Sequence, residues 1–402
     1  MAGRYAAALV MASVLCTGQA QAQFSDNKVR IGVLTDMSGA FTDNTGRGSV
    51  IAAEMAVEDA GGKIGTIPVE VISADHQNKA DIGATIARKW YDQEGVDLIV
   101  DVPNSAVALA TQTIARDKKR LIIFSSPAAS DLTGRACSPY GAHWTYDTYA
   151  LAKVVGGAVV ENGQGKWFFV TADYAFGHTL EAETAAVVKA AGGTVLGSVR
   201  APASTPDFSS FLLQAQASRA DVVGLATAGI DTQNAVKQAA EFGLTQEGQR
   251  IATLLLAINE VHALGLKNTS GILLADPFYW NQDAQARAFS ERFFARHKAM
   301  PSFYQAGVYS AVSHYLKALK AVEGDTAETV IAKMREMPID DPMTKGGHLR
   351  IDGRVIRDVS LYEVKAPADT KEPWDYYRFI RKVPGEQAFR PLEGSPCPLV
   401  RK

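Results

Sequence analysis

The chain has 402 residues, 47% of them hydrophobic, with a formal net charge of −2. A mildly acidic chain without a basic stripe excludes a nucleic-acid binder, and the length is ample for two domains with buried parallel sheets. It opens with Arg4, the apolar run Ala6–Cys16 and the small-x-small triplet Ala20-Gln21-Ala22, which together make a secretory leader. The apolar run has eleven residues, too few to span a bilayer, which takes about 20. Leu15 is too bulky for a lipid-attachment site at Cys16, so cleavage is expected after about Ala22. Losing residues 1–22 removes Arg4 and takes the net charge from −2 to −3. No later stretch is long and apolar enough for a membrane helix, and an exported, soluble mature protein is expected. Only Cys137 and Cys397 remain, and an oxidising compartment favours one disulfide between them over two buried thiols. It would pin the Pro-rich tail back onto the segment after Leu132-Thr133-Gly134.

Along the mature chain short β-branched runs alternate with helical stretches, the pattern of βαβ units and a parallel sheet. Val29–Leu34, Ile67–Ser73, Leu98–Val100 and Leu121–Phe124 read as strands, with helices at Ser49–Ala60, Lys79–Gln93 and Ala106–Arg116 between them. A second series follows, with strands at Trp167–Thr171, Thr194–Val199, Val222–Leu225 and Ile251–Leu256. Its helices are predicted at Leu180–Ala191, Phe208–Ala217 and Gln233–Phe242. After Gly271–Ala275 the pattern changes to Ala284–His297, Phe303–Val322 and Thr326–Glu336, with no strand between them. The stripe that includes Phe303, Tyr304, Val308 and Tyr315 is assigned mostly to core packing. His348–Ile351 and Val359–Val364 read as closing strands about the turn at Asp352-Gly353, and the tail from Ala366 has little periodicity.

Four motifs stand in order on this framework: Met37-Ser38-Gly39, Ser126-Pro127-Ala128-Ala129-Ser130, Asp173-Tyr174-Ala175-Phe176-Gly177 and Pro206-Asp207-Phe208. Behind a signal peptide, the layout resembles the periplasmic solute-binding proteins of the leucine/isoleucine/valine type, which serve ATP-driven uptake systems. The resemblance implies an α/β fold of two Rossmann-like lobes joined by a three-crossover hinge, the type I periplasmic binding fold. The crossovers would fall near Trp144–Asp147, Asp276–Phe278 and Gly346–Arg350. Lobe 1 would then comprise residues 28–145 with 278–347, lobe 2 residues 146–277 with 348–380, and a tail residues 381–402. A ligand at the carboxyl ends of the strands is also what open α/β sheets favour by themselves.

The loops Pro103-Asn104-Ser105 and Ser126–Ser130 follow strand ends and open helices or turns, where free N–H groups and the helix dipole favour an anion. By resemblance they grip the ligand's carboxylate through Asn104 or Ser105, the backbone of Ala128 and the hydroxyl of Ser130. Plain N-capping is the competing role. Ser38 belongs to the first polar turn and joins the candidates. Tyr174 and Phe176 stand where the family carries an aromatic that closes over the ligand. Three consecutive aromatics, Phe278-Tyr279-Trp280, lie at a crossover, and Tyr279 is expected to face the ligand. Amino-acid binders of this family pair the ligand's ammonium with a second-lobe acid, yet Leu255-Leu256-Ala257-Ile258-Asn259 carries none before Glu260. Asp231 is the candidate substitute. The family's first-lobe disulfide is absent too, with Gln77 and Pro103 near its positions.

The expected ligand is therefore a small carboxylate with an apolar or aromatic body, with a branched-chain or other apolar amino acid as the alternative. Enzyme readings find little support. There is no Gly-x-Ser-x-Gly elbow, Walker A sequence or His-Glu-x-x-His pair, and Gly46-Arg47-Gly48 lacks the third glycine of a dinucleotide site. The seven histidines have no metal-ligand spacing. No cofactor is expected. The expected partner is the membrane permease of an ABC transporter, with a membrane-receptor sensor as the other role of such a fold. The protein is expected to be a monomer.

Overall fold

The computed structural model describes residues 24–400 except 162, 164 and 245–247. The leader, residues 1–22 with Cys16, lies outside the described residues. Six strands form the first sheet: β1 (Val29–Thr35), β2 (Lys63–Ile64), β3 (Ile67–Asp75), β4 (Leu98–Asp101), β5 (Leu121–Phe124) and β6 (Gly141–His143). Their order is β2-β3-β1-β4-β5-β6, with β2 antiparallel to β3 and every other pairing parallel. Apolar runs such as Leu121–Phe124 are buried throughout because helices cover both faces, so the central strands β1, β4 and β5 show no alternation. The second sheet is all parallel: β7 (Lys166–Ala172), β8 (Thr194–Ala201), β9 (Val222–Ala226) and β10 (Arg250–Thr253), in the order β10-β9-β7-β8.

β11 (Leu273–Asp276) is followed by the helices Ala284–His297 and Phe303–Val322, which pack back onto the first-sheet helix Gly46–Asp59. Arg292 and Arg296 fasten this return with ion pairs to Asp59 at 2.7 Å and Glu58 at 2.9 Å. The chain ends in a short antiparallel pair, β12 (His348–Leu349) and β13 (Val355–Ile356), then β14 (Val359–Val364) and β15 (Tyr377–Val383). β11, β14 and β15 make a small antiparallel sheet with β14 in the middle. Between β12 and β13 the buried Arg354 donates to the Tyr146 carbonyl at 2.8 Å, tying this turn to the connection between the two large sheets. Cys137 and Cys397 form a disulfide with 5.7 Å between their Cα atoms, holding the tail to the first lobe.

The α/β two-lobed arrangement is the one the sequence pattern implies, though β2 and β6 are not among the predicted strands and three further stretches differ. β10 stops at Thr253, and Leu254–Leu256 turn instead into a helix, Ile258–Leu264. A helical stretch runs from Thr148 to Glu161, started by the Asp147 carboxylate accepting the Ala150 N–H at 2.8 Å. The tail from Ala366 holds β15, whose middle residues are exposed, so no apolar alternation marks it. One apolar cluster runs without a break from Val33, Val100 and Ile123 through Tyr146, Phe176 and Leu255 to Phe169 and Val222. The two lobes therefore share a core at the level of the strand ends.

Candidate functional site

The carboxyl ends of β1, β4 and β5 face those of β7, β9 and β10 across a gap that is almost closed, with about 10 Å³ of free space. The first lobe lines it with Phe41, Pro103, Ser105, Ser126 and Ala128. From the second lobe come Tyr174, Phe176, Ala228 and Leu255. Tyr146 and Tyr304 complete the wall.

The hydroxyl-bearing wall is held rigidly. Asp101 and Val102 take left-handed backbone angles (φ 89° and 57°) ahead of Pro103, a conformation that costs of order 1–3 kcal/mol per residue and concentrates at binding sites. The buried Asp101 carboxylate accepts the Ser125 hydroxyl at 3.1 Å and that of Ser126 as well. Burial holds its pKa above the ordinary carboxylate range, and the nearby hydroxyls of Ser126, Thr35, Ser49 and Ser125 pull the other way. Ser105 Oγ accepts the N–H groups of Ala128 and Ala129 at 3.3 and 3.2 Å, so the two first-lobe loops form one unit. The Tyr146 hydroxyl donates to the Ser126 carbonyl at 2.8 Å, and its ring meets those of Phe303 and Tyr304 edge-on. Opposite, Tyr174 and Phe176 lie with ring centres 5.8 Å apart. Burial raises the Tyr174 phenol's pKa, the nearby Asp231 charge adding to it, so the hydroxyl keeps its proton.

Of the residues expected from sequence, Ser105, Ala128, Tyr174 and Phe176 come together in this gap. The others stand elsewhere. Asn104 caps the helix Ser105–Lys118, its side chain accepting from Ala106 and Val107 at 2.8 and 3.2 Å. Ser38 is exposed and gives its hydroxyl to Asp75 at 2.5 Å. Ser130 reaches across to the second lobe and donates to Glu183 at 2.6 Å, because its helical turn points it along the lobe interface. Asp231 accepts the Ser204 N–H at 2.9 Å, and burial lifts its pKa to about 6 against the pull of the Ser204 and Thr205 N–H groups. Tyr279 does not reach the gap, because β14 and β15 claim it. It stacks on Tyr377 at 4.8 Å and donates to the Trp374 carbonyl at 3.2 Å. Its neighbours Phe278 and Trp280 are likewise taken up by Phe289 and the Trp374 carbonyl.

Sequence reasoning missed Glu260. Its side chain turns back to accept the Ala257 N–H at 2.5 Å, while the other carboxylate oxygen is buried without a hydrogen bond. Burial raises its pKa to about 8, against the pull of the Ala257 N–H, the Asn44 side chain and the Gly229 N–H. It follows Leu255 of the gap wall by five residues, and its bond to the Ala257 N–H folds it back toward that stretch. The signal available was the spacing from Ala257 to Glu260, where an acid at the third helical position caps the turn. Phe41 lies inside the polar turn after β1 and Leu255 inside the apolar stretch before Glu260, and neither residue type by itself points to a ligand.

The lobes also meet directly. Ile230 N–H donates to the Ala40 carbonyl and Asn259 Nδ2 to the Asp43 carbonyl, both at 3.2 Å. Gly229 stands at this junction with φ 61°, where a Cβ would lie 2.4 Å from the Ala40 oxygen.

Comparison with known proteins agrees with this geometry. A family model described as periplasmic binding protein matches residues 28–371. A solved periplasmic binding protein from Burkholderia mallei is 51% identical, with a TM-score of 0.92, covering 93% of this chain and 100% of that one. A branched chain amino acid ABC transporter periplasmic ligand-binding protein from Burkholderia xenovorans is 41% identical, with a TM-score of 0.83 and coverage of 93% and 100%. A Leu/Ile/Val-binding protein homolog from Brucella melitensis is 26% identical over 322 residues, 78% of this chain and 81% of the relative. Two parallel-sheet lobes closing at their strand ends, with this match over most of the length, make the chain a member of the periplasmic binding protein family, a type I solute-binding protein of the ABC-transporter kind.

Proposed function

We propose that this protein captures a small carboxylate with an apolar or aromatic body between its lobes in the periplasm and hands it to the membrane permease of an ABC transporter. The observation that carries the reading is the make-up of the gap. Hydroxyls of Ser105 and Ser126 and the backbone of Ala128 lie on one wall, while Phe41, Pro103, Phe176 and Leu255 supply apolar surface. With the lobes parted, a carboxylate on the first wall accepts the Ser105 hydroxyl and competes with Asp101 for the Ser126 hydroxyl and with Ser105 Oγ for the Ala128 N–H, while a flat body lies against Tyr174. Asn104 and Ser130 belong to the same reading as the cap and the lobe contact that hold those loops.

A second reading, an apolar amino acid, is favoured by Glu260. Its unpartnered buried oxygen is a place for an ammonium group, and two relatives carry branched-chain or Leu/Ile/Val-binding names. Ammonium binding would force Glu260 to ionise, and with a pKa of about 8 in the folded protein this releases a proton near neutral pH.

The test is a thermal-shift screen of the mature protein against aromatic and aliphatic acids on one side and apolar amino acids on the other. Ligand at a hundred times its Kd adds about 2.7 kcal/mol of stability. Titration calorimetry of each hit in two buffers of different ionisation heat then counts released protons. Shifts from ammonium-free acids without proton release support the first reading. Shifts from amino acids with proton release, abolished in Glu260→Gln, support the second. No shift in either panel overturns both.

A further inference from the structure

Beside the small sheet of β11, β14 and β15, lined by none of the gap's residues, lies a cavity of about 620 Å³. Tyr279, Tyr362 and Tyr377 form its aromatic side, with ring centres 4.8 to 5.5 Å apart, and Phe379 meets Tyr362 edge-on. Its acids are largely engaged. Asp375 pairs with Lys365 at 2.6 Å, Glu372 with Arg287 at 2.7 Å, and Asp283 caps the helix Ala284–His297.

Arg357 lines the same cavity and is only 4% exposed. Among the described residues none hydrogen-bonds its Nε, Nη1 or Nη2. The carboxylate nearest in charge is Asp341, but its oxygens already accept from Met343 and Thr344 N–H and from the Ser310 hydroxyl, at 2.8, 2.9 and 2.5 Å. Burial without a partner pulls the Arg357 pKa down to about 9, Asp341 opposing that and Arg354 adding to it. The hydroxyls of Thr344 and Tyr377, also on the cavity lining, are buried without partners as well. A buried, unpaired guanidinium is expensive, and its planar fork of five donors fits the two oxygens of a carboxylate or phosphate.

We propose that this cavity is a second ligand site, which takes a small oxyanion, carboxylate or phosphate, on Arg357 and stacks any flat body of the ligand on Tyr279 and Tyr362. The guanidinium nitrogens are covered in the structure, so binding includes a turn of the Arg357 side chain toward the anion. This site is independent of the interlobe gap. None of the residues lining the one lines the other.

The test is titration calorimetry of the mature protein with benzoate and, separately, with inorganic phosphate. Wild type, Tyr174→Ala and Arg357→Met are compared. At least one anion is expected to bind wild type at a site that survives Tyr174→Ala and weakens tenfold or more in Arg357→Met. Retention for phosphate alone identifies a phosphate-type ligand, and for benzoate alone an aromatic carboxylate. Should Arg357→Met fail to fold, Arg357→Lys keeps the charge without the fork, and the same weakening is expected. A 4-iodobenzoate soak is expected to place an anomalous iodine peak beside Tyr279 or Tyr362. The proposal is overturned if Arg357→Met and Arg357→Lys bind both anions as wild type does, or if no anion binding survives Tyr174→Ala.

Discussion

Tyr174 is the side chain whose removal tests the second-lobe wall most directly. Its ring stands beside Phe176 on the gap, and truncation takes apolar surface from the ligand's body without touching the first-lobe donors. Tyr174→Ala is expected to weaken ligand binding by about 1.5–3 kcal/mol, while Tyr174→Phe, which keeps the ring, loses less. Equal affinities for all three proteins by calorimetry would remove Tyr174 from the site. Glu260 gives a second expectation, in pH. Its folded pKa of about 8 lies above the ordinary 4.5, so its stabilising contribution is complete below about pH 4.5 and is lost as pH rises through 8. Across that window the loss is roughly 1.4 kcal/mol per pH unit from this group. Asp97, raised by burial to about 7, and Asp231, raised to about 6, add in the same sense. Glu260→Gln keeps an acceptor for the Ala257 N–H, so it is expected to melt above wild type at pH 8 and not at pH 4.5. Equal melting temperatures at both pH values would remove Glu260 as the source of the slope. At this scale sequence reading finds lining of the gap where a residue follows a strand end, as Ser105, Ala128 and Tyr174 do. It does not find Tyr304, a core-stripe residue that only the packing of its helix end brings to the gap. Tyr279 lies away from the gap because the strands that bury it come from distant sequence.

The elements of the two parallel sheets are legible because buried parallel strands are short, apolar and bracketed by helices, and β5 and the helix Phe303–Val322 fall within the predicted bounds. β15 is not legible, because Phe379 and Ile380 stay exposed on an edge strand and leave no alternating face. The tail after β15 is held by packing, with Ala388 and Phe389 buried in the core, and by cross-links. Cys397 is bonded to Cys137, Arg390 pairs with Glu183 at 2.7 Å, and the Arg390 guanidinium lies 4.7 Å from the Tyr149 ring centre. Glu183 therefore receives Arg390 from the tail and Ser130 from the first lobe. Breaking the disulfide loosens one of these arms. Cys397→Ser is expected to lower unfolding stability by about 2–5 kcal/mol and to speed amide exchange in residues near Glu183. A variant with unchanged stability and exchange would mean that the tail is held by its remaining contacts alone.

Across the whole molecule the lobes are closed on each other over a shared apolar core, and the polar contacts between them are specific. Ala40 and Asp43 of the first lobe offer carbonyls to Ile230 and Asn259, and Ser130 reaches Glu183. Such a set gives a modest bias toward closure, which leaves the ligand's own contacts to shift the population. Gly229 is the position where closure leaves no room. A methyl group there would lie 2.4 Å from the Ala40 oxygen, well inside contact distance, whereas a lobe swung open frees that space. Gly229→Ala is thus expected to disfavour the closed state more than the folded one. Ligand affinity should fall at least tenfold, about 1.4 kcal/mol, with the off-rate taking most of the change. Small-angle scattering should show a larger radius of gyration than wild type, and less compaction when ligand is added. Asn259→Ala, which removes one interlobe bond without any clash, should move both quantities in the same direction by less. If Gly229→Ala binds and compacts as wild type does, closure does not depend on the approach of Ala40 to Gly229. The hinge would then find another closed arrangement of similar energy. If affinity falls while the radius stays that of wild type, the glycine acts through the local backbone at the gap rather than through the lobes.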